Sequence, residues 1–235
     1  MNIYWTTVED IIEETPEIKT FYLKWDDTLT DFTWSGGAHT HFAMKGFNDG
    51  EKPDRGLVRH MSIASLPNEG TIAITTRIKN NCSRYKQVLR DLAIGDDVAL
   101  FGTSSNMPLT RTNQKLYFFS SGVALATLRP LLLDFLADVT DIPAVHALNV
   151  DSTGDYLFTD HFKTVPEKNL TVEYVNSRAA YYDRAKALAG DTEARYYIVG
   201  SDDFLRQNIA LLRQSGVQTS QVMIDKHPFQ QAEFL

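Results

Sequence analysis

The sequence predicts two domains: an N-terminal antiparallel β-barrel, then an α/β domain built on a parallel sheet. Three observations predict this. Up to about residue 111, short runs rich in β-branched and aromatic residues recur between turn residues. A polar stretch, Thr110-Arg111-Thr112-Asn113-Gln114, then interrupts the pattern. Beyond it, strand-like runs alternate with segments of helical spacing, as a parallel α/β sheet requires. The domains are therefore read as 1–111 and 112–235, and 235 residues suffice for two small cores.

Composition narrows the function classes. The net charge is −7 and no basic run is dense enough to follow a phosphate backbone, so nucleic acid is not an expected partner. The single cysteine allows no internal disulfide and no four-cysteine iron–sulfur cluster. The first residues lack the basic start and apolar run of a secretion signal, and no run reaches the length of a membrane span. A soluble, cytoplasmic protein without a transmembrane segment is expected.

In order, Trp5–Ile12 and Lys19–Trp25 read as antiparallel strands separated by Pro16 and Glu17. Gly36-Gly37 predicts a tight turn before a strand carrying His39 and His41. These imidazoles share one strand face. Without a third ligand nearby in sequence they read as barrel-strand histidines, and no metal is assigned. Arg59-His60-Met61-Ser62-Ile63-Ala64-Ser65 reads as a strand running into a turn at Pro67–Gly70. Such a strand can present a guanidinium fork, hydroxyls and backbone amides to an anion; alternatively it is a sheet strand with a surface arginine. Thr71–Ile78 alternates strictly. Tyr85, Val88, Leu89 and Leu92 give helical spacing over Arg84–Leu92, with Asn81 or a neighbour as cap. A helix start with free amides beside Ser83 is an anion site in waiting. Cys82 reads as a small packed residue. Gly95-Asp96-Asp97 turns into the strand ending near Phe101.

In the second domain, strands are expected at Lys115–Ser120, Ala144–Val150, Asn169–Val175, Tyr196–Gly200 and Gln221–Asp225. Helices are expected at Ala124–Asp138, Arg178–Leu188 and Asp202–Ser215, with a helix-like segment at Phe158–Val165. Ser120-Ser121-Gly122-Val123-Ala124-Leu125-Ala126-Thr127 follows the first strand and opens a helix, where amides and helix dipole receive a pyrophosphate. Ser177-Arg178, at the end of the third strand, can bind a phosphate monoester or serve as a helix cap beside a solvated arginine.

Arg59-x-Met61-Ser62-Ile63-Ala64-Ser65 resembles the flavin-binding strand, Arg-x-(Tyr/Phe)-Ser-(Ile/Leu)-Ala-Ser, of the ferredoxin–NADP reductase superfamily. The resemblance extends in order along nearly the whole chain. Gly37-Ala38-His39 is similar to the phthalate dioxygenase reductase branch. Asn80–Ser83 is similar to the Gly-x-x-(Ser/Thr) flavin element, with Asn80 replacing Gly. Gly122–Thr127 is similar to the Gly-Gly-Thr-Gly-Ile-Ala-Pro loop, and Gly200 to the Cys-Gly-Pro element, here without its cysteine.

The resemblance implies a flavin-binding barrel and a nucleotide-binding α/β domain, with hydride passing from NADPH or NADH to FAD, or FMN, across a domain cleft. It implies Arg59 at the flavin phosphate, Met61 on the ring in place of an aromatic residue, Ser62 near the reactive N5 and Ser83 at the pyrophosphate. His60, Thr76, Ile78 and Cys82 complete the flavin set. Gly122, Ala124, Thr127 and Gly200 receive the nicotinamide nucleotide. Ser177 and Arg178 take a 2′-phosphate, Tyr181 or Tyr182 stacks on adenine, and Phe229 or Phe234 covers the flavin. No side chain is expected to act as acid or base, since the flavin carries the chemistry. Electrons then pass to a separate acceptor: a ferredoxin, flavodoxin, free flavin, quinone or oxygenase component. Two alternatives stay open, a flavin-binding electron-transfer or regulatory module with a degenerate NAD(P)H site, and a fold relic without flavin.

Overall fold

The computed structural model describes residues 2–29 and 31–235. The chain divides into two compact units, Met1–Ser105 and Asn106–Leu235. The segment that follows Ser105 is tied to the second unit. There the Tyr197 hydroxyl donates to the Pro108 carbonyl and accepts from the Thr110 amide, both at 2.9 Å.

The first unit contains β1 (Ile3–Thr15), β2 (Ile18–Lys24), β3 (Ala38–Met44), β4 (Val58–Ser62), β5 (Thr71–Arg77), α1 (Arg84–Asp91) and β6 (Asp97–Ser105). The strands form one antiparallel sheet in the order β4-β3-β6-β1-β2-β5. Its arrangement is barrel-like. The two edges meet just past β4, where the Ala64 amide donates to the Ala73 carbonyl at 2.7 Å. Ser65 strengthens that bridge, giving its hydroxyl to the Thr71 carbonyl and accepting from the Ala73 amide.

β1 is longer than its alternation predicts. Its first half pairs with β6 and its second half with β2, with register shifts at Val8/Asp10 and Glu13/Thr15. Such irregularities let one strand bend between two neighbours. The predicted Gly36-Gly37 turn is present, with Gly37 at φ 76° and the Ala38 amide bonded to the Ser35 carbonyl. Phe21, Leu23, Phe42, Ile72, Ile74 and Leu100 fill the interior, and α1 adds Tyr85 and Leu89 to it.

The second unit contains β7 (Leu116–Ser121), α2 (Leu125–Ala137), β8 (Val145–Val150), β9 (Leu170–Val175), α3 (Arg178–Leu188), β10 (Arg195–Val199), α4 (Asp202–Gln214), β11 (Val222–Ile224) and α5 (Pro228–Gln231). Its sheet is wholly parallel, in the order β11-β10-β7-β8-β9. The chain steps outward from β7 to β9, then returns to the other side of β7. That reversal makes a switch point between β7 and β10, and ligands of open α/β sheets bind outside the strand carboxyl ends at such points.

Phe158–Val165 is not helical. Phe158 takes φ 59°, a left-handed conformation that interrupts a right-handed helix, and only one turn forms around it. The ring is buried, with the Arg129 guanidinium 5.5 Å from its centre, so tertiary packing overrides the local spacing. Among the described residues no helix is long and apolar enough to cross a membrane.

Candidate functional site

In the first unit the site forms where β4, β5 and the start of α1 converge. Arg59 is exposed on β4, and its guanidinium donates to the carbonyls of Arg55 (2.9 Å) and Val58 (2.7 Å). The guanidinium carbon lies 5.1 Å from the centre of the Tyr85 ring. Tyr85 is fully buried and gives its hydroxyl to the Phe42 carbonyl at 3.1 Å; burial pushes that phenol far above its ordinary range. Strand and helix thus hold one cation in a fixed orientation.

Ser83 occupies the N-cap of α1, a place the sequence left between Asn81 and its neighbours. Its side chain makes no capping bond, so the hydroxyl stays available beside the first-turn amides. Arg84 is held by Asp54 at 3.0 Å. Cys82 is half-buried and its sulfur accepts from Arg90 at 3.3 Å; Arg90 also binds the Lys79 carbonyl. That clamp pins the loop in which Asn80 stands.

Lys86 was not read from the sequence. It is half-buried, and its ammonium donates to the Thr76 hydroxyl. Burial pushes its pKa down to about 8; the Cys82 thiol opposes this and the Arg59 charge adds to it. The signal was present, since Lys86 follows the Ser83 cap by three residues and so shares its helix face. Thr76 and Ile78 are buried, and the Ile78 amide bonds the Glu17 carbonyl at 2.7 Å. Met61 is half-buried against the barrel core and Ser62 ends β4 opposite His39.

His60 points to the other sheet face from Arg59 and Met61. It pairs with His41 across the strands, and its ring lies 4.3 Å from His41 and 4.4 Å from His39. Among the described residues no group of three or more His, Cys, Asp or Glu is arranged to hold a metal ion.

In the second unit, Val199 of β10 and Ser120 of β7 are register neighbours, so the loops after them flank the switch point. Gly122 sits at φ 56°, which glycine adopts without strain. Asn149, also missed in sequence, fixes this loop by donating to the Ser120 hydroxyl (2.8 Å) and the Gly122 carbonyl (3.3 Å). Ala124 immediately precedes α2, and Thr127 is buried in its first turn. Gly200 has no room for a side chain: a Cβ there would meet Phe204 Cδ1 at 2.6 Å. Ser201 caps α4.

Ser177 caps α3, accepting from the Ala180 amide at 3.2 Å. Arg178 is exposed and donates to Gln207 at 2.7 Å, as does the Tyr182 hydroxyl. Tyr181 is fully buried and bonded to Asn208, so of the two adenine candidates only Tyr182 offers an accessible ring. Phe234 is also buried, within the second unit, between Arg206 and Lys226 at 4.9 and 5.3 Å. It is therefore not available as a ring cover. Phe229 is 73% exposed.

No protein-family model matches the sequence, and none of the curated proteins matches it. Solved structures do. The chain superposes on a ferredoxin NADP+ reductase from Neisseria gonorrhoeae with bound FAD and NADP, at TM-score 0.79 and 14% identity over 94% of this chain and 97% of that one. It is similar to the CS-b5R domains of human Ncb5or in its NAD+ form, at TM-score 0.78 and 17% identity over 96% and 70%. It is also similar to a siderophore interacting protein from Acinetobacter baumannii, at TM-score 0.76 and 13% identity over 95% and 89%. The chain has the two-domain fold of ferredoxin–NADP reductase-like proteins.

Proposed function

We propose that the chain is a flavin-dependent oxidoreductase that takes hydride from NADPH or NADH and passes electrons to a separate acceptor. The observation that carries this is the convergence of Arg59, Lys86 and the uncapped Ser83 hydroxyl at the start of α1. Among the described residues neither cation is paired with a carboxylate. Two such cations beside free helix amides suit the phosphates of a flavin nucleotide. In this fold, neighbouring structures carry FAD and NADP or NAD+.

FAD is the favoured cofactor, with FMN held by the same groups. When bound, it supplies the hydride-accepting ring and releases electrons singly or in pairs. The protein orients it: Arg59 and Ser83 at the phosphates, Met61 and Ser62 toward the ring, Thr76, Ile78, Cys82 and His60 around the strand edge. A Met thioether packs softly against a ring where an aromatic residue would stack. Gly122, Ala124, Thr127 and Gly200 give the nicotinamide nucleotide close backbone approach at the switch point, and Ser177 and Arg178 receive a 2′-phosphate. The flavin is assigned to the first domain and the nicotinamide nucleotide to the second, read from the sequence as 1–111 and 112–235, with the compact units themselves dividing between Ser105 and Asn106. The acceptor is a ferredoxin, flavodoxin, free flavin, quinone or oxygenase component, and the setting is cytoplasmic.

The test is flavin binding by the intact protein and by Arg59→Ala. Submicromolar binding lost in the variant supports the assignment, and equal binding removes Arg59 from the site. A second reading, a flavin module without productive nucleotide binding, is favoured by Ser177, whose hydroxyl is already engaged as a helix cap.

A further inference from the structure

Given the flavin-binding reading above, on which this rests, we propose that Lys86 binds the phosphate dianion of the flavin nucleotide together with Arg59, and that its charge makes flavin retention pH-dependent. FAD and FMN share that chemistry, as a diphosphate and as a monoester.

The geometry comes from the helix start. With Ser83 as N-cap, Arg84 and Tyr85 are the first helical residues and Lys86 the third, so Lys86 lies over the cap on the same face. Tyr85 turns inward and becomes the floor under Arg59. The Lys86 stem is carried into partly buried space toward β5, where, among the described residues, the ammonium's hydrogen bond goes to the Thr76 hydroxyl. An ammonium taken from water beside a guanidinium is costly unless an anion joins them.

The surrounding charges are accounted for. From α1, Arg84 is neutralised by Asp54 at 3.0 Å, and Asp54 also accepts from the Gly56 amide at 2.7 Å. Arg90 turns to the loop carbonyls and the Cys82 sulfur. From β5, Arg77 lies 3.9 Å from Glu17. The Tyr85 hydroxyl points away, to Phe42. What remains facing Lys86 is the Arg59 charge from β4 and the Cys82 thiol. Burial holds Lys86 at about 8. Its charge is therefore present at neutral pH and lost on moderate alkalinisation, and with it one attraction for the phosphoryl group. A bound dianion favours the protonated amine, so binding above that pH takes up a proton.

The experiment titrates FAD, FMN and riboflavin into the intact protein, Lys86→Met and Lys86→Arg, following flavin fluorescence between pH 7 and 9.5. Lys86→Met keeps the apolar stem and removes the charge. For the phosphorylated flavin that the wild type holds, it is expected to weaken binding at pH 7 by about tenfold or more, and Lys86→Arg by less than about threefold. Riboflavin, which has no phosphate, binds wild type and Lys86→Met alike. Wild-type Kd rises as pH passes the Lys86 pKa and levels off near the Lys86→Met value, and that rise is absent from Lys86→Met. Equal FAD and FMN affinities in wild type and Lys86→Met overturn the proposal while leaving the flavoprotein reading intact. A wild type that binds none of the three flavins overturns both. If Lys86→Met does not fold, Lys86→Arg, whose charge persists over this range, takes its place: a wild-type slope absent from Lys86→Arg supports the proposal, and a flat wild-type series above pH 8, or the same slope in both, overturns it.

Discussion

The Arg59 guanidinium rests 5.1 Å over a Tyr85 ring whose own hydroxyl is bonded to the Phe42 carbonyl at 3.1 Å. One buried tyrosine thus joins β4, α1 and β3, and fixes the direction of the cation expected to meet the flavin phosphate. A planar guanidinium suits this seat because it can lie flat on the ring and still keep N–H groups for a ligand.

Replacing Arg59 separates charge from shape. Arg59→Lys keeps the charge but loses the fork, and is expected to weaken flavin binding by about tenfold; Arg59→Ala loses both and weakens it by about a hundredfold. Because Arg59 is exposed, thermal melting of the flavin-free protein should change by no more than a few tenths to 1 kcal/mol equivalent. Flavin titration and calorimetry check the pair of outcomes.

Tyr85→Phe keeps the ring under Arg59 and removes the bond to Phe42. Urea unfolding should report a loss of about 1–2 kcal/mol, from a buried hydrogen bond without replacement. Flavin affinity should stay within about twofold. A large loss of affinity with unchanged stability would assign the hydroxyl itself to the ligand.

Gly200→Ala places a Cβ 2.6 Å from Phe204 Cδ1. The ring must move, at the start of the helix that flanks the switch point. The expected cost is about 1–3 kcal/mol of stability, typical of overpacking, with a rise in KM for the nicotinamide nucleotide. Flavin binding, proposed for the first unit, should be untouched.

Arg178→Ala tests the 2′-phosphate assignment. The KM for NADPH should rise about tenfold while that for NADH stays the same. Equal effects on both nucleotides would leave Arg178 as a partner of Gln207 and nothing more.

Acid sensitivity has an identifiable source in the second unit. Glu173 takes a two-point bond from Arg184, at 2.8 and 2.6 Å, and lies 2.8 Å from His146. The Arg184 hydrogen bonds hold its carboxyl below the usual range, while burial lowers His146. A depressed carboxylate contributes stability above its unfolded pKa and loses it as pH falls through the folded value. A depressed histidine also makes the folded state weaker as pH falls below the unfolded imidazole value. Glu173→Gln should therefore be less stable than wild type at pH 7 by at most about 1 kcal/mol, discounted for solvent. The gap should close below about pH 4 in chemical denaturation series.

Much of this was legible in the sequence. The strands of both units, α1, and the loops after β7 and β10 stand where alternation, spacing and glycine placed them. Other features depend on contacts that local pattern does not encode. β1 serves two neighbours, which its sequence alternation alone cannot reveal. The 158–165 segment has helical spacing, but the buried Phe158 under Arg129 forces a left-handed residue. Tyr181 and Tyr182 are adjacent and chemically alike, and only helix packing decides which ring is buried. Lys86 shares the Ser83 face of α1, but its partner, Thr76, lies ten positions back on a strand.

The most direct test of the central claim is the visible spectrum of the purified, flavin-loaded protein under anaerobic conditions, before and after NADPH or NADH. Flavin bands that bleach on addition of one nucleotide are expected, with NADPH favoured over NADH through Arg178. Flavin bands that persist with both nucleotides in excess would contradict an NAD(P)H-dependent reductase and leave a flavin-binding electron-transfer module in its place.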